Sequence, residues 1–398
     1  MAPYESDHAT GTGPDEDPRT GRRKAARYVV PVAVVGVAAA TIGLVPALAA
    51  SGDPDLPKIT AQQLVEKIAK SDVQRMSGTV KVSTDLGLPD LGSLQGGMGS
   101  GQGDSSADPR TKLTELASGT HTLRVAADGP EKQKVSLLER DAEYSLIHND
   151  KDVWGYDSAS NEVFHTTAQH SGDKREHRPS ATPDDFAEEA LKSVDSTTSV
   201  TVDGTARIAG RDAYQLVIKP KQSGSTVRDV TIGVDAKTGL PLKFTLTPKS
   251  GGAPVLDAGF TKVSFAAPPA STFDFRPPKG AKVTEEKPGK DEHAPNFGEE
   301  FAPGGLKGAD TIGEGWTTIA KFDTGAKGEK GDKGDKSDRQ GGAMGGFLGS
   351  LGDQVSGDFG KGTVFSTRLV NALITDDGKV YAGAVTKDAL IKAADADK

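Results

Sequence analysis

The chain of 398 residues carries 48 Lys and Arg against 56 Asp and Glu, a formal net charge of −8, and no cysteine. The missing thiols exclude disulfides, thiolate metal sites, a Cys nucleophile and the lipid-modified Cys that begins a mature bacterial lipoprotein. Charge is spread without a basic face, which argues against nucleic acid, and 49 Gly with 23 Pro leave room for one substantial core, one small core and several linkers.

Residues 1–27 are polar and read as a disordered cytoplasmic tail that ends in the basic cluster Arg22, Arg23, Lys24 and Arg27. The uncharged run at residues 28–50 is long enough, at about 1.5 Å per residue, to cross the roughly 30 Å of a bilayer core. Basic residues before it and Asp53 and Asp55 after it place everything C-terminal outside the cytoplasm. Ala47-Leu48-Ala49 offers a small-x-small cleavage site, so the run is either a signal peptide or a membrane anchor.

A helix is expected from residue 60 to 70. Thr60 and Gln63 have the spacing of a reciprocal cap, Ile59 can staple onto Leu64, and Leu64, Val65, Ile68 and Ala69 form one apolar stripe. After a strand at 79–83, the Gly/Ser/Asp-rich stretch 86–110, broken by Leu88, Leu91, Leu94 and Met98, is either a plain insert or an apolar flap. Period-two alternation then predicts strands at 121–127, 134–138, 144–148, 152–156 and 162–167. Thr182-Pro183-Asp184-Asp185 opens a second helix over 183–194, with Phe186, Ala190, Leu191 and Val194 as its stripe.

From Val200 to Phe265 the alternation is strongest. Tyr214, Leu216 and Ile218, then Val230, Ile232 and Val234, then Leu242, Phe244 and Leu246 each face one side, and the loops at 209–212 and 235–239 call for antiparallel hairpins. Nine or ten strands in all make a large one-sided sheet. Residues 276–305 read as a linker, and 306–398 as a small α+β unit. That unit should hold a strand at 316–321, a solvated Gly-x-Lys loop at 325–336, a short helix carrying Phe347, Leu348, Leu351 and Val355, a hairpin over 363–385 and a helix starting at Thr386; it is either docked or free-standing.

No nucleophile elbow, phosphate loop, dinucleotide fingerprint or His-Glu-x-x-His pair occurs, and Glu162, His165, His170 and His177 read as exposed rather than as a metal cluster; neither enzyme chemistry nor a cofactor is expected. The sheet's one face instead gathers Leu123, Val125, Tyr144, Leu146, Trp154, Tyr156, Tyr214, Leu216, Ile218, Val230, Ile232, Val234, Leu242, Phe244 and Leu246. If two short helices fill such a sheet incompletely, the cavity suits acyl chains, each buried methylene contributing about 0.8 kcal/mol. The alternative is a core packed solid.

The segments Asp152–Asn161, Val200–Asp203, Tyr214–Leu216, Val234–Leu242 and Phe273–Phe275 resemble the LolA superfamily, which includes outer-membrane lipoprotein carriers and the RseB/MucB regulators of envelope-stress sigma factors. Over residues 58–275 the resemblance implies a curved antiparallel half-barrel with helices in its mouth, binding lipid or lipoprotein acyl chains. It also implies, as the alternative role, an envelope-stress sensor whose partner is a membrane anti-sigma factor. The anchor at 28–50 and the C-terminal unit depart from the simple carrier pattern.

Overall fold

The computed structural model describes residues 54–87, 105–109, 112, 115, 116, 118–167, 182–192, 194–286, 310–323 and 352–397. The tail and apolar run at 1–50, the leucines of 88–94, Met98, His170, His177, the Gly-x-Lys loop, and Phe347, Leu348 and Leu351 lie outside these residues. Among those described, no helix is long and apolar enough to cross a membrane.

Helix α1 (Ala61–Ala69) forms as its cap dictates: the Gln63 amide donates to Thr60 Oγ1 at 3.2 Å and the Thr60 amide donates to Gln63 Oε1 at 3.0 Å. Strands β1 (Arg75–Thr84), β2 (Gly119–Asp128), β3 (Lys132–Leu138), β4 (Glu143–Asn149), β5 (Asp152–Asp157) and β6 (Glu162–Thr167) follow. Then come α2 (Pro183–Lys192), β7 (Thr198–Ile208), β8 (Arg211–Pro220), β9 (Val227–Asp235), β10 (Pro241–Pro248), β11 (Leu256–Ser264) and β12 (Lys282–Glu286). All twelve join one sheet in the order β12-β6-β5-β4-β3-β2-β1-β11-β10-β9-β8-β7. It stays open, since β12 and β7 end it instead of pairing with each other, and every neighbouring pair is antiparallel except β12 with β6.

The expected hairpins are present, and the glycine of the Asp235–Gly239 turn is required twice. Gly239 has φ +80°, and a Cβ there would come within 2.4 Å of the Lys67 carbonyl oxygen at the end of α1. The turn is held from inside: the buried Asp235 Oδ1 accepts the amides of Lys237 (3.0 Å) and Thr238 (2.7 Å), and its carboxylate pairs with Arg211. Burial alone would raise the Asp235 pKa; the hydrogen bonds from Arg211 and Thr238 outweigh it and hold the group below its ordinary value.

Two expectations are corrected here. The segment read as a linker from 276 begins with a strand, because β12 adds to the β6 edge, so the main sheet ends at Glu286. Val194 lies beyond α2 and is 38% exposed, so the stripe of that helix is Phe186, Ala187, Ala190 and Leu191.

The C-terminal unit is a second sheet of β13 (Asp310–Ile312), β14 (Ile319–Asp323), β15 (Asp353–Gly357), β16 (Gly360–Ser366), β17 (Asn371–Thr375) and β18 (Lys379–Gly383), in the order β13-β14-β18-β17-β16-β15, with α3 (Lys387–Ala396) against one face. Thr386 caps α3 as expected. Val355 belongs to strand β15 and not to a helix, and Trp316 sits in a short 3-10 turn before the strand expected at 316–321.

The unit is docked. Trp316 and Leu369 are buried in the main core, the Trp316 indole Nε1 donates to Thr198 Oγ1 at 2.8 Å, and Ser225 bridges to Val385. Arg368 clamps the seam, reaching Asp85 and the carbonyls of Gly251 and Ala253.

Candidate functional site: the roofed face of the main sheet

The pairing register assigns each side chain to a face, because directly paired residues point the same way. Val202, Leu216, Ile232, Phe244, Ala258 and Val82 form one row across β7 to β11 and β1, and Phe260, Val80, Leu123, Leu137 and Tyr144 form a second row on the same face from β11 to β4. Over this face lie α1, α2 and the described residues between 105 and 118. Leu64 of α1 is fully buried, Phe186 of α2 meets Phe244 with ring centroids 5.5 Å apart, and Thr84 Oγ1 donates to the Leu116 carbonyl at 3.0 Å.

Of the fifteen candidate residues, Leu123, Val125, Tyr144, Tyr214, Leu216, Ile218, Val230, Ile232, Val234, Leu242 and Phe244 share one buried cluster beneath this roof. Leu146 and Leu246 pack at its margin, half-buried. Trp154 and Tyr156 do not belong to it: Tyr144 pairs with Asp157 and Leu146 with Gly155, so the two aromatics point to the back of the sheet. There they meet Phe275, at 5.5 Å from Trp154 and 5.6 Å from Tyr156, on the connector that runs from β11 to β12 behind the sheet. Alternation within one strand was legible; which of its two faces matched the neighbouring strand depended on the register, which periodicity does not fix.

The cluster also takes in Leu256, Ala258 and Phe260 of β11, which sequence reasoning missed. Their own alternation carried the signal, but it is interrupted where β1 and β11 shift register between Thr79 and Val80.

Filling differs along the roofed face. Leu216, Ile218, Ile232, Val234 and Leu242 are fully buried by the chain's own residues, so this half is packed solid. A groove of about 440 Å³ opens on the back face instead, where Arg124, Lys134 and Lys262 stand around Glu143 near Thr272. Burial acts to raise the Glu143 pKa, but hydrogen bonds from Ser136 and Ser145, with Lys134 and Arg124 nearby, lower it.

Beneath the segment 105–118 the covering is polar. The Tyr144 hydroxyl donates to the Ala107 carbonyl at 3.1 Å, and burial pushes its pKa up. Lys112 reaches Glu139 at 2.9 Å and Asp157 at 3.4 Å. Ser105 and Ser106 donate to Glu162 at 3.1 and 3.0 Å. Lys282 first, then the Ser106 amide and hydroxyl, hold that carboxyl at about 2. Glu162 is therefore a structural acceptor, and among the described residues no group of three His, Asp or Glu side chains is arranged to hold a metal.

The main sheet is open, roofed on one apolar face, and joined by a seam to a smaller α+β unit. MucB in complex with MucA from Pseudomonas aeruginosa is similar at 16% identity and a TM-score of 0.39, covering 84% of this chain and 96% of that one. An uncharacterized conserved protein from Thermus thermophilus matches at 14% and 0.32, over 57% and 99%. A LolA superfamily protein from Nitrosomonas europaea matches at 12% and 0.22, over 55% and 99%. No protein-family model and no curated protein matches the sequence. At these identities and TM-scores the likeness carries no argument, and function is argued from the chain's own residues.

Proposed function

We propose that the protein is a non-enzymatic, extracytoplasmic binding module, anchored or secreted, that takes lipid or lipoprotein acyl chains onto the roofed face of its main sheet. The observation that carries this reading is the construction of the roof. It consists of separate pieces, α1, α2 and the described residues between 105 and 118, laid over an apolar face that extends across nine of the twelve strands, or about 38 Å at the usual strand spacing. Each helix is only about 14 Å long. A guest enters by displacing a piece of roof, not by filling a void.

Magnitudes restrict the guest. One long acyl chain contributes on the order of 10 kcal/mol by burial. Association consumes at least about 4 kcal/mol of this, and lifting Phe186 off the sheet about 3 more. A single chain therefore leaves little, whereas a second chain is almost entirely surplus. The reading favours diacyl lipids and acylated lipoproteins over free fatty acids. Solvent extraction of the purified protein followed by mass spectrometry should release such lipids, and a diacyl ligand should displace a hydrophobic fluorescent probe that a single-chain analogue leaves in place. Absence of both lipid and a saturable probe site would overturn the proposal.

The second reading is a sensor that binds a membrane anti-sigma factor through the C-terminal unit. The seam favours it, because Trp316 and Leu369 belong to the core under the roof, so displacing that core is felt in the smaller unit. Deleting 306–398 would strip that core, so Arg368→Glu is the cleaner variant: membrane crosslinking should capture a partner with the native chain and lose it when the seam is opened.

A further inference from the structure

His165 of β6 is held on three sides. Its ring stacks on Trp154, with centroids 3.8 Å apart and planes 18° from parallel. Nε2 lies 3.0 Å from Asp152 Oδ1 on β5, and Nδ1 lies 2.7 Å from Glu285 Oε2 on β12. The imidazole is 15% exposed while the two carboxylates are 54% and 67% exposed, so the acids reach inward to the ring.

Carboxylates only accept hydrogen bonds, and a neutral imidazole has a single N–H; both contacts are satisfied together only by the imidazolium. When the proton leaves, one carboxylate faces a nitrogen lone pair. Of the other charges near the strand, Lys282 pairs with Glu162 at the start of β12, and Asp274 and Arg276 flank Phe275, which packs on Trp154.

Beyond its backbone pairing, β12 is tied to β6 by two side-chain contacts, Lys282 with Glu162 and Glu285 with His165. It is five residues long, pairs on one side only, and is the one parallel strand of the sheet. We propose that His165 is a proton-controlled latch that fixes β12 to the edge of the main sheet, and that its deprotonation frees β12 and bares the backbone edge of β6. Burial acts to lower the His165 pKa, but hydrogen bonds to Asp152 and Glu285 outweigh it and raise it above 6.5. The latch is thus fully closed below pH 6.5 and loosens as pH rises through the raised folded value. A single proton bounds the effect at tenfold in the opening equilibrium per pH unit. Release would expose a strand edge of the kind that accepts an extended peptide.

The test uses the full chain with isotope-labelled histidine, the His165 resonance being assigned by its loss in His165→Gln. Its titration should lie above 6.5. Hydrogen exchange of the β12 amides that donate to β6, corrected for intrinsic exchange, should quicken by up to tenfold per pH unit through that titration while β8–β10 stay unchanged. Glu285→Gln should move the titration toward 6.5 and flatten the exchange response; in His165→Gln the response should vanish, with the β8–β10 amides reporting that the sheet is folded. A His165 titration at or below 6.5, or β12 protection that ignores it, overturns the proposal.

Discussion

Strands β7–β11 turn Leu216, Ile218, Ile232, Val234 and Leu242 toward the roof, all fully buried, whereas β2–β6 present Gln133, His148, Asp157 and Glu162 on the same face beside Leu123, Leu137 and Phe164. The first half is covered by helices that contribute apolar side chains. The second is covered by the described residues between 105 and 118, fixed through hydrogen bonds and ion pairs: Tyr144 to Ala107, Lys112 to Glu139 and Asp157, Ser105 and Ser106 to Glu162. Apolar covering is non-directional, so a guest can replace it contact for contact; polar covering is directional, and a guest that broke it would leave buried donors and acceptors unpaired. The difference assigns exchange of a lipid to the helix-covered half and stiffness to the other.

The largest expected effect breaks the first half. Leu242→Asp buries an unpaired charge at a position with no solvent access, at a cost of at least about 5 kcal/mol. Urea denaturation should show the main sheet unfolded or nearly so, and probe binding should go with it. Asp235→Ala comes next, since it strips the partner from Arg211 and two turn amides, at about 3 kcal/mol. Its pH dependence has a definite sign. The folded pKa is below 3.8, so the native advantage over the variant should be constant above pH 3.8 and shrink as pH falls through the folded value.

The polar half is broken more gently. At Gly155 a Cβ would stand 2.4 Å from the Ala107 carbonyl oxygen and 3.0 Å from the Tyr144 hydroxyl, so Gly155→Ala should push the covering segment away and destabilise by about 2 kcal/mol. Tyr144→Phe keeps the shape and removes one buried hydrogen bond, at about 1 kcal/mol. Both should raise proteolytic cutting within 105–118 and leave probe binding unchanged. Loss of probe binding in either would place the guest under the wrong half.

How far each half was legible follows from the same contrast. The alternation of Tyr214, Leu216 and Ile218, and of Val230, Ile232 and Val234, is a local signal, and the strands it predicted are present with their hairpins. So is the cap of α1, written in residues three apart. The cover of β2–β6 uses contacts between residues far apart in sequence, Ser106 with Glu162 and Lys112 with Glu139, which no short window contains. β12 was hidden for a related reason: Lys282–Glu286 has a linker's composition, and what makes it a strand is the open β6 edge and the pairings of Lys282 with Glu162 and Glu285 with His165. Trp154 and Tyr156 were placed on the wrong face because the pairing of β4 with β5 sets it.

The smallest change bears most directly on how the roof works. Thr60→Ala removes one cap acceptor from α1 without touching the sheet, at about 1 kcal/mol. If α1 lifts as a unit while β8–β10 stay folded, exchange of the 61–69 amides should quicken by about fivefold, the equivalent of that free energy, while amides of β9 keep their native rate. Association of a diacyl probe should speed up by the same factor, since the cap acts only on the closed state. Uniform acceleration of both regions would mean that roof and sheet open together, and displacement of α1 could then not be the step that admits a chain.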